Sequence, residues 1–175
     1  DAGSYQEQIQ IKAGSIGYSY ETVFRGLLDD ELSQVAVEDP YIRMGHQILN
    51  FVRFCEMLVK RVPKLSLINL VTGPEENHDS KKHQESAFSE LRASLSKYKV
   101  DLKVQYSMTL HDRIIRLNNG WVVQIGRGLD YFKPASKYHI GYCDMDLRPC
   151  HETLICISHQ KHIRGNTANS SNGAS

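Results

Sequence analysis

The chain has 175 residues, 41% hydrophobic and 23% charged, and carries a formal net charge of +1. This suits one globular domain with a substantial core, and neither the charge nor any recognition motif points to nucleic acid as a partner. No apolar run approaches the roughly 20 residues of a membrane-spanning helix and no signal-peptide pattern opens the sequence, so it reads as a soluble protein whose membrane contact is at most peripheral.

Charge is uneven along the sequence. Acids slightly outnumber bases up to Val100, and bases outnumber acids from Asp101 onward. Most of the histidines also lie in that second part, so mild acidification adds positive charge there. Cys55, Cys143, Cys150 and Cys156 show no disulfide-framework spacing, which predicts reduced thiols in a cytosolic protein. Cys143, Cys150, His151, His159 and His162 form a candidate soft-ligand set. They lack the paired short Cys-x-x-Cys knuckles of structural zinc, so no metal or other cofactor is expected. The sequence starts at Asp1 without a methionine and reads as a piece of something longer.

Residues 1–15 read as an N-terminal linker with an edge strand, because Ile9 and Ile11 alternate with polar residues. Residues 16–164 read as the domain, and residues 165–175, an Asn/Ser/Gly tract, as a disordered tail. Val23, Phe24, Leu27, Leu28 and Leu32 make one helical stripe with Ser19 as its N-cap. VAVED is a short strand ended by Asp39-Pro40, because Pro40 lacks an amide donor and restrains the residue before it. Tyr41, Arg43 and His46 are thereby placed in the turn beyond a strand's C-terminal end, where ligand crevices form in open α/β sheets. A surface ion pair is the plainer role for Arg43.

The strongest helix runs from Gly45 to about Val62. Ile48, Phe51, Val52, Cys55, Leu58 and Val59 follow helical spacing, and Leu49, Phe54 and Met57 widen the apolar face. Two readings stay open, a helix deep in the domain or a self-association surface. LSLINLVT is an interior strand. Ala87, Phe88, Leu91, Leu95 and Tyr98 make a third helical stripe with a wet, charged opposite side. VDLKVQYS is the strand that delivers the chain to His111.

IIRL and WVVQI are the arms of a β-hairpin turning at Asn118-Asn119-Gly120, where Asn and Gly supply positive φ. Gly126 and Gly128 bracket Arg127, so the backbone can turn sharply there and approach a ligand. LDYFKPASKYHIGYCDMDLRPCHE is a long irregular connection dense in Tyr, Lys, Arg and His, a functional or mobile loop. TLICIS is a final strand. Alternating strands and helices followed by a hairpin predict an α/β domain with a largely parallel sheet and added antiparallel pairing.

His111, Arg113 and Asn118 have the spacing of the His-x-Lys-x-x-x-x-Asp motif of the phospholipase D superfamily, with Arg for Lys and Asn for Asp. More specifically, VEDPYIR, NFVRFCEMLVKR, HDR, NNGW, IGRGLDYF and GYCDMDLRPCHET resemble the C-terminal phospholipase D-like domain of the MIT-domain-containing proteins, adaptors of ESCRT-III. The likeness runs from about Tyr18 to about His162. It implies a phospholipase D-like mixed β-sheet flanked by helices on both faces, and a homodimer. It also implies ESCRT-III subunits as partners through an N-terminal MIT domain absent from this sequence. A cytoplasmic, peripheral-membrane location at late endosome and midbody, and a role in abscission during cytokinesis, follow from the same likeness.

Phosphodiester cleavage of this kind needs one histidine to attack phosphorus and a second to protonate the leaving oxygen. Arg113 keeps a phosphate-binding cation and adds a bidentate fork. Asn118 in place of Asp removes a carboxylate that could orient the histidine, a type of loss that costs about four orders of magnitude in rate. Asp112, on a strand, would face away from His111. The expectation is therefore a degenerate, non-enzymatic site at His111, Arg113 and Asn118. Arg43, His111, Arg113, Arg127, Lys133, Arg148 and His151 are expected to hold acidic phospholipid headgroups, phosphoinositides among them. The alternative is a dimeric phosphodiesterase using His111 from each chain. The plainer readings are a structural His111 and an Arg127 that pairs with Asp130.

Overall fold

A computed structural model describes residues 6–159; the predicted tail and His162 lie outside the described residues. The elements in chain order are β1 (Gln6–Ile11), α1 (Tyr20–Phe24), β2 (Gln34–Glu38), α2 (Gly45–Arg61), β3 (Leu67–Thr72), α3 (His78–Ser96), β4 (Asp101–Tyr106), β5 (Ile114–Leu117), β6 (Trp121–Ile125) and β7 (Thr153–His159). All the strands join one sheet in the order β1-β7-β6-β5-β2-β3-β4. β2, β3 and β4 run parallel, linked by α2 and α3. The remaining pairs are antiparallel. The expected edge strand is β1, which pairs with β7 from Gln6↔Ser158 to Ile11↔Thr153.

Burial alternates along the strands as a sheet packed on one side requires. Val35 and Val37 of β2, Ile68 and Leu70 of β3, Val123 and Ile125 of β6, and Ile155 and Ile157 of β7 are buried. Their neighbours Ala36, Asn69, Gln124 and Cys156 are half-buried or exposed. The helices lie in one layer on the buried face, with α2 touching both α1 and α3. Right-handed crossovers from β2 to β3 and from β3 to β4 carry α2 and α3 to the same side. The mixed sheet and its helices are as expected.

Phe51, Phe54, Cys55 and Leu58 put α2 in the core, while Leu49 stays exposed beside a groove shared with α3. The first helix is shorter than its apolar stripe predicts. Ser19 caps it by accepting from the Thr22 amide, but after a 3-10 turn at Arg25–Leu27 the Asp29 side chain accepts from the amides of Glu31 and Leu32. Short polar side chains compete with helix in this way.

Tyr131 and Phe132, from the segment read as irregular, are buried in an aromatic cluster with Tyr20 and Phe54. An isolated bridge, Phe132↔Cys150, closes the base of the loop that follows.

Candidate functional site

The register of the sheet decides which loops meet. β2, β3 and β4 end, and β5 begins, at one edge of the sheet. β6 ends and β7 begins at that edge as well. The segments 39–44, 73–77, 107–113 and 126–152 therefore all lie beyond the C-terminal ends of the parallel strands, where open α/β sheets form crevices.

Arg43 is held there by its surroundings. Its Nε donates to the Pro40 carbonyl at 2.7 Å, and its guanidinium lies against Gly73, where a Cβ would collide with it. Gln47 Oε1 accepts from the amides of Arg43 and Met44. Beneath them Gln84, 1% exposed, donates to the carbonyls of Ile42 and Gly73 and accepts from the Glu75 amide. This buried amide of α3 ties the two loops together. It stands one turn before Phe88, in line with the apolar stripe of α3, and its polar side chain sets it apart from that stripe in the sequence.

Arg113 reaches the same place from β5. The guanidinium carbons of Arg43 and Arg113 stand 5.3 and 4.8 Å from the centroid of the Tyr41 ring, within range for cation–π attraction. Arg113 also donates to the Gly126 carbonyl, and its buried Nε has no hydrogen-bond partner among the described residues. Next to it Asp39, 2% exposed, accepts from the amides of Tyr41 (2.9 Å) and Leu129 (3.1 Å). Burial raises the Asp39 pKa above its ordinary value, opposed by those two amides and by Arg113. Gly128, at φ +65°, leaves no room for a Cβ beside the Asp39 carboxylate. The freedom of that glycine admits Asp39, not a ligand.

A second group forms around Asp130. Its carboxylate accepts from Asn50 Nδ2 at 3.2 Å and stands 3.4 Å from His46 Nε2. Arg127 is exposed and does meet Asp130, through Nε to the backbone carbonyl at 3.0 Å. His151 shares this neighbourhood: burial lowers its pKa, the charges of Arg127 and Lys133 add to that, and Asp130 opposes it. The predicted cations thus fall into two adjoining groups, Arg43 with Arg113 and Arg127 with Lys133 and His151. Among the described residues, Arg43, Arg113, Arg127 and Lys133 form no salt bridge with a carboxylate.

His111 and Asp112 are exposed and sit on a loop, not on a strand. With Arg113, Gln124, Gly126 and Cys156 they line an open cleft of about 330 Å³. No side-chain hydrogen bond or ion pair orients His111 among the described residues.

Two expectations need correction. Arg148 is buried, and its guanidinium donates to the carbonyls of Gly141, Lys133 and Tyr142, so it staples its own loop and has no reach left for a headgroup. Asn118 lies at the opposite end of β5 from Arg113. Its Oδ1 accepts from the amides of Ser33 and Gln34, and its Nδ2 donates to Ser33 Oγ at 2.8 Å. It cannot orient His111, and replacing Asp by Asn there says nothing about catalysis.

The proposed soft-ligand set is dispersed in part: Cys143 is exposed and Cys150 buried, its thiol pushed up to about 11 by burial. Among the described residues no three His, Cys, Asp or Glu side chains stand together to hold a metal.

Comparison with known proteins shows the family. The chain is 48% identical over 163 residues to MIT domain-containing protein 1 of Mus musculus, covering 93% of this chain and 65% of the relative's length. A crystal structure of phosphatidylserine synthase from Haemophilus influenzae Rd KW20 superposes with a TM-score of 0.49 at 9% identity, over 97% of this chain and 38% of that one. A family model described as the phospholipase D-like domain at the C-terminus of MIT matches residues 17–159, and the chain belongs to that family.

Proposed function

We propose that this domain is a catalytically inactive phospholipase D-like module that binds acidic phospholipid headgroups, phosphoinositides among them, from the cytoplasmic side. The observation that carries the reading is the pair of half-buried guanidinium groups beside the Tyr41 ring beyond the strand ends, neither of them in a salt bridge among the described residues. Arg127 and Lys133 add positive charge alongside. Cations near an anionic bilayer contribute about 1 kcal/mol each, so several together give a useful, salt-sensitive attachment.

Catalysis is a poor fit because, among the described residues, His111 has no hydrogen-bond or ion-pair partner to fix its tautomer or hold it as imidazolium, and a second histidine would have to come from another chain. A homodimer fits the sheet face on which Asn69, Gln124 and Cys156 are half-buried or exposed, and would turn weak attachments into avidity. An MIT domain outside this chain would carry the protein to ESCRT-III subunits, to late endosome and midbody, and to abscission in cytokinesis.

Co-sedimentation with phosphatidylserine vesicles containing a phosphoinositide tests the reading. Binding at low salt that falls with added salt, and is lost in Arg43→Glu/Arg113→Glu, is the expected result. No binding, or binding indifferent to those changes, overturns it. Turnover of a generic phosphodiester that disappears in His111→Ala would establish the enzymatic alternative.

A further inference from the structure

The three most exposed large apolar side chains among the described residues are Tyr138, Met108 and Ile140, at 90%, 88% and 83%. All three leave from the sheet end that bears the cations, Met108 on the loop between β4 and β5 and the other two on the loop between β6 and β7. Exposed apolar residues are ordinary when scattered singly. Here they share one end of the molecule with Arg43, Arg113, Arg127 and Lys133.

The larger loop is also built to keep them out. Arg148 binds three of its carbonyls, and the His139 amide donates to Ser136 O at 2.9 Å. Asp146 accepts from the Ser19 amide and from Thr22 Oγ1, fastening the loop to the start of α1. Gly141 takes φ +96° where a Cβ would run into Leu147 O. A loop free to relax would fold an isoleucine inward, since burying it is favourable. This one holds Tyr138 and Ile140 in water, with Lys137 5.7 Å from the Tyr138 ring centre and Lys133 at its base. An aliphatic tip, an amphipathic ring and flanking lysines whose stems can snorkel are the features of a segment that rests at a bilayer interface.

We propose that the tips of these two loops, Met108 on one and Tyr138 with Ile140 on the other, enter the interfacial layer of an anionic bilayer while the neighbouring cations engage its phosphates. The inference rests on the headgroup-binding reading and adds an apolar, salt-resistant component to it.

Tryptophan fluorescence provides the test, because the single native tryptophan, Trp121, lies at the hairpin end of the sheet, away from these loops. On phosphatidylserine vesicles with brominated acyl chains, the indole introduced by Ile140→Trp is quenched while Trp121 in the unmodified protein is not. Met108→Ser/Tyr138→Ser/Ile140→Ser weakens vesicle binding by about tenfold or more, and leaves binding of soluble inositol trisphosphate unchanged. If the unmodified protein binds the vesicles but the introduced indole is unquenched, as it would be in a loop that serves a protein partner, or the triple variant binds like the parent, the insertion fails and headgroup binding stands. If the unmodified protein binds no vesicles, both fall.

Discussion

Arg43 and Arg113, 70 positions apart in sequence, place their guanidinium carbons 5.3 and 4.8 Å from the centre of one tyrosine ring. Two like charges gathered about the Tyr41 ring, with no carboxylate of the described residues in salt-bridge contact with either, make a site that an incoming anion relieves. Tyr41→Leu removes the ring that positions both. Because cation–π contacts contribute about 0.5–2 kcal/mol, vesicle affinity is expected to fall by a few-fold to about tenfold. Tyr41 is 45% exposed and outside the core, so the melting temperature should change little. A large loss of stability with unchanged binding would contradict this role.

Asp39 is the internal support of the same site. Asp39→Ala leaves the buried amides of Tyr41 and Leu129 without an acceptor, a loss of about 2–4 kcal/mol by chemical denaturation. The pH dependence has a definite sign. Burial raises the folded pKa of Asp39 above 3.8, so its contribution is greatest below the unfolded value and declines as pH rises through the folded value. The stability advantage of the parent over Asp39→Asn should shrink as pH rises over that window; an advantage that grows would mean that the carboxylate is preferred ionised.

His151 reports on the second group of cations. Burial, then Arg127 and Lys133, hold its pKa below 6.5. The unfolded chain therefore binds a proton more readily than the folded one, and this histidine costs stability as pH falls through its folded value. An anion seated between Arg127 and Lys133 screens their charge and raises the His151 pKa. Headgroup binding then takes up a proton and tightens as pH falls across that range. A histidine NMR titration with and without inositol trisphosphate should show the upward shift; an unmoved pKa would place the anion elsewhere.

Arg148 is expected to act on stability and not on headgroup contact. Arg148→Leu strips three carbonyls of their donor and should lower stability by about 2–4 kcal/mol. Arg148→Lys should recover little, since a single ammonium does not reproduce a planar fork. Both variants, where folded, should bind soluble inositol trisphosphate like the parent. Loss of that binding with unchanged melting would restore Arg148 to the site.

Most of this architecture was legible in local pattern. Pro40 after Asp39 ended β2 where the alternation stopped, and the apolar spacing from Ile48 to Leu58 marked α2. Asn118-Asn119-Gly120 marked the hairpin, although only Gly120 takes positive φ and the two asparagines act through their side chains. What remained hidden depended on long-range partners. Gln84 extends the apolar stripe of α3 by one turn, but its partners, the loops at Ile42 and Gly73, are distant in sequence. Tyr131 and Phe132 carry no periodic signal because their segment is irregular, yet they fill the core. The family spacing that joins His111 to Asn118 counts residues along β5, and a strand separates its two ends in space. Cations look alike in sequence, and only the carbonyls gathered around Arg148 distinguish a staple from a free guanidinium.

The central claim is that the end of the sheet bearing Tyr41 binds anionic headgroups. Following backbone amide NMR signals while inositol trisphosphate is added tests it most directly. The account predicts saturable shifts confined to residues 39–46, 73–75, 111–113 and 126–133, weakened by salt and abolished by Arg43→Glu/Arg113→Glu. Shifts centred on the hairpin turn at residues 118–120 or on the groove between α2 and α3, or no saturable shifts at all, would contradict it.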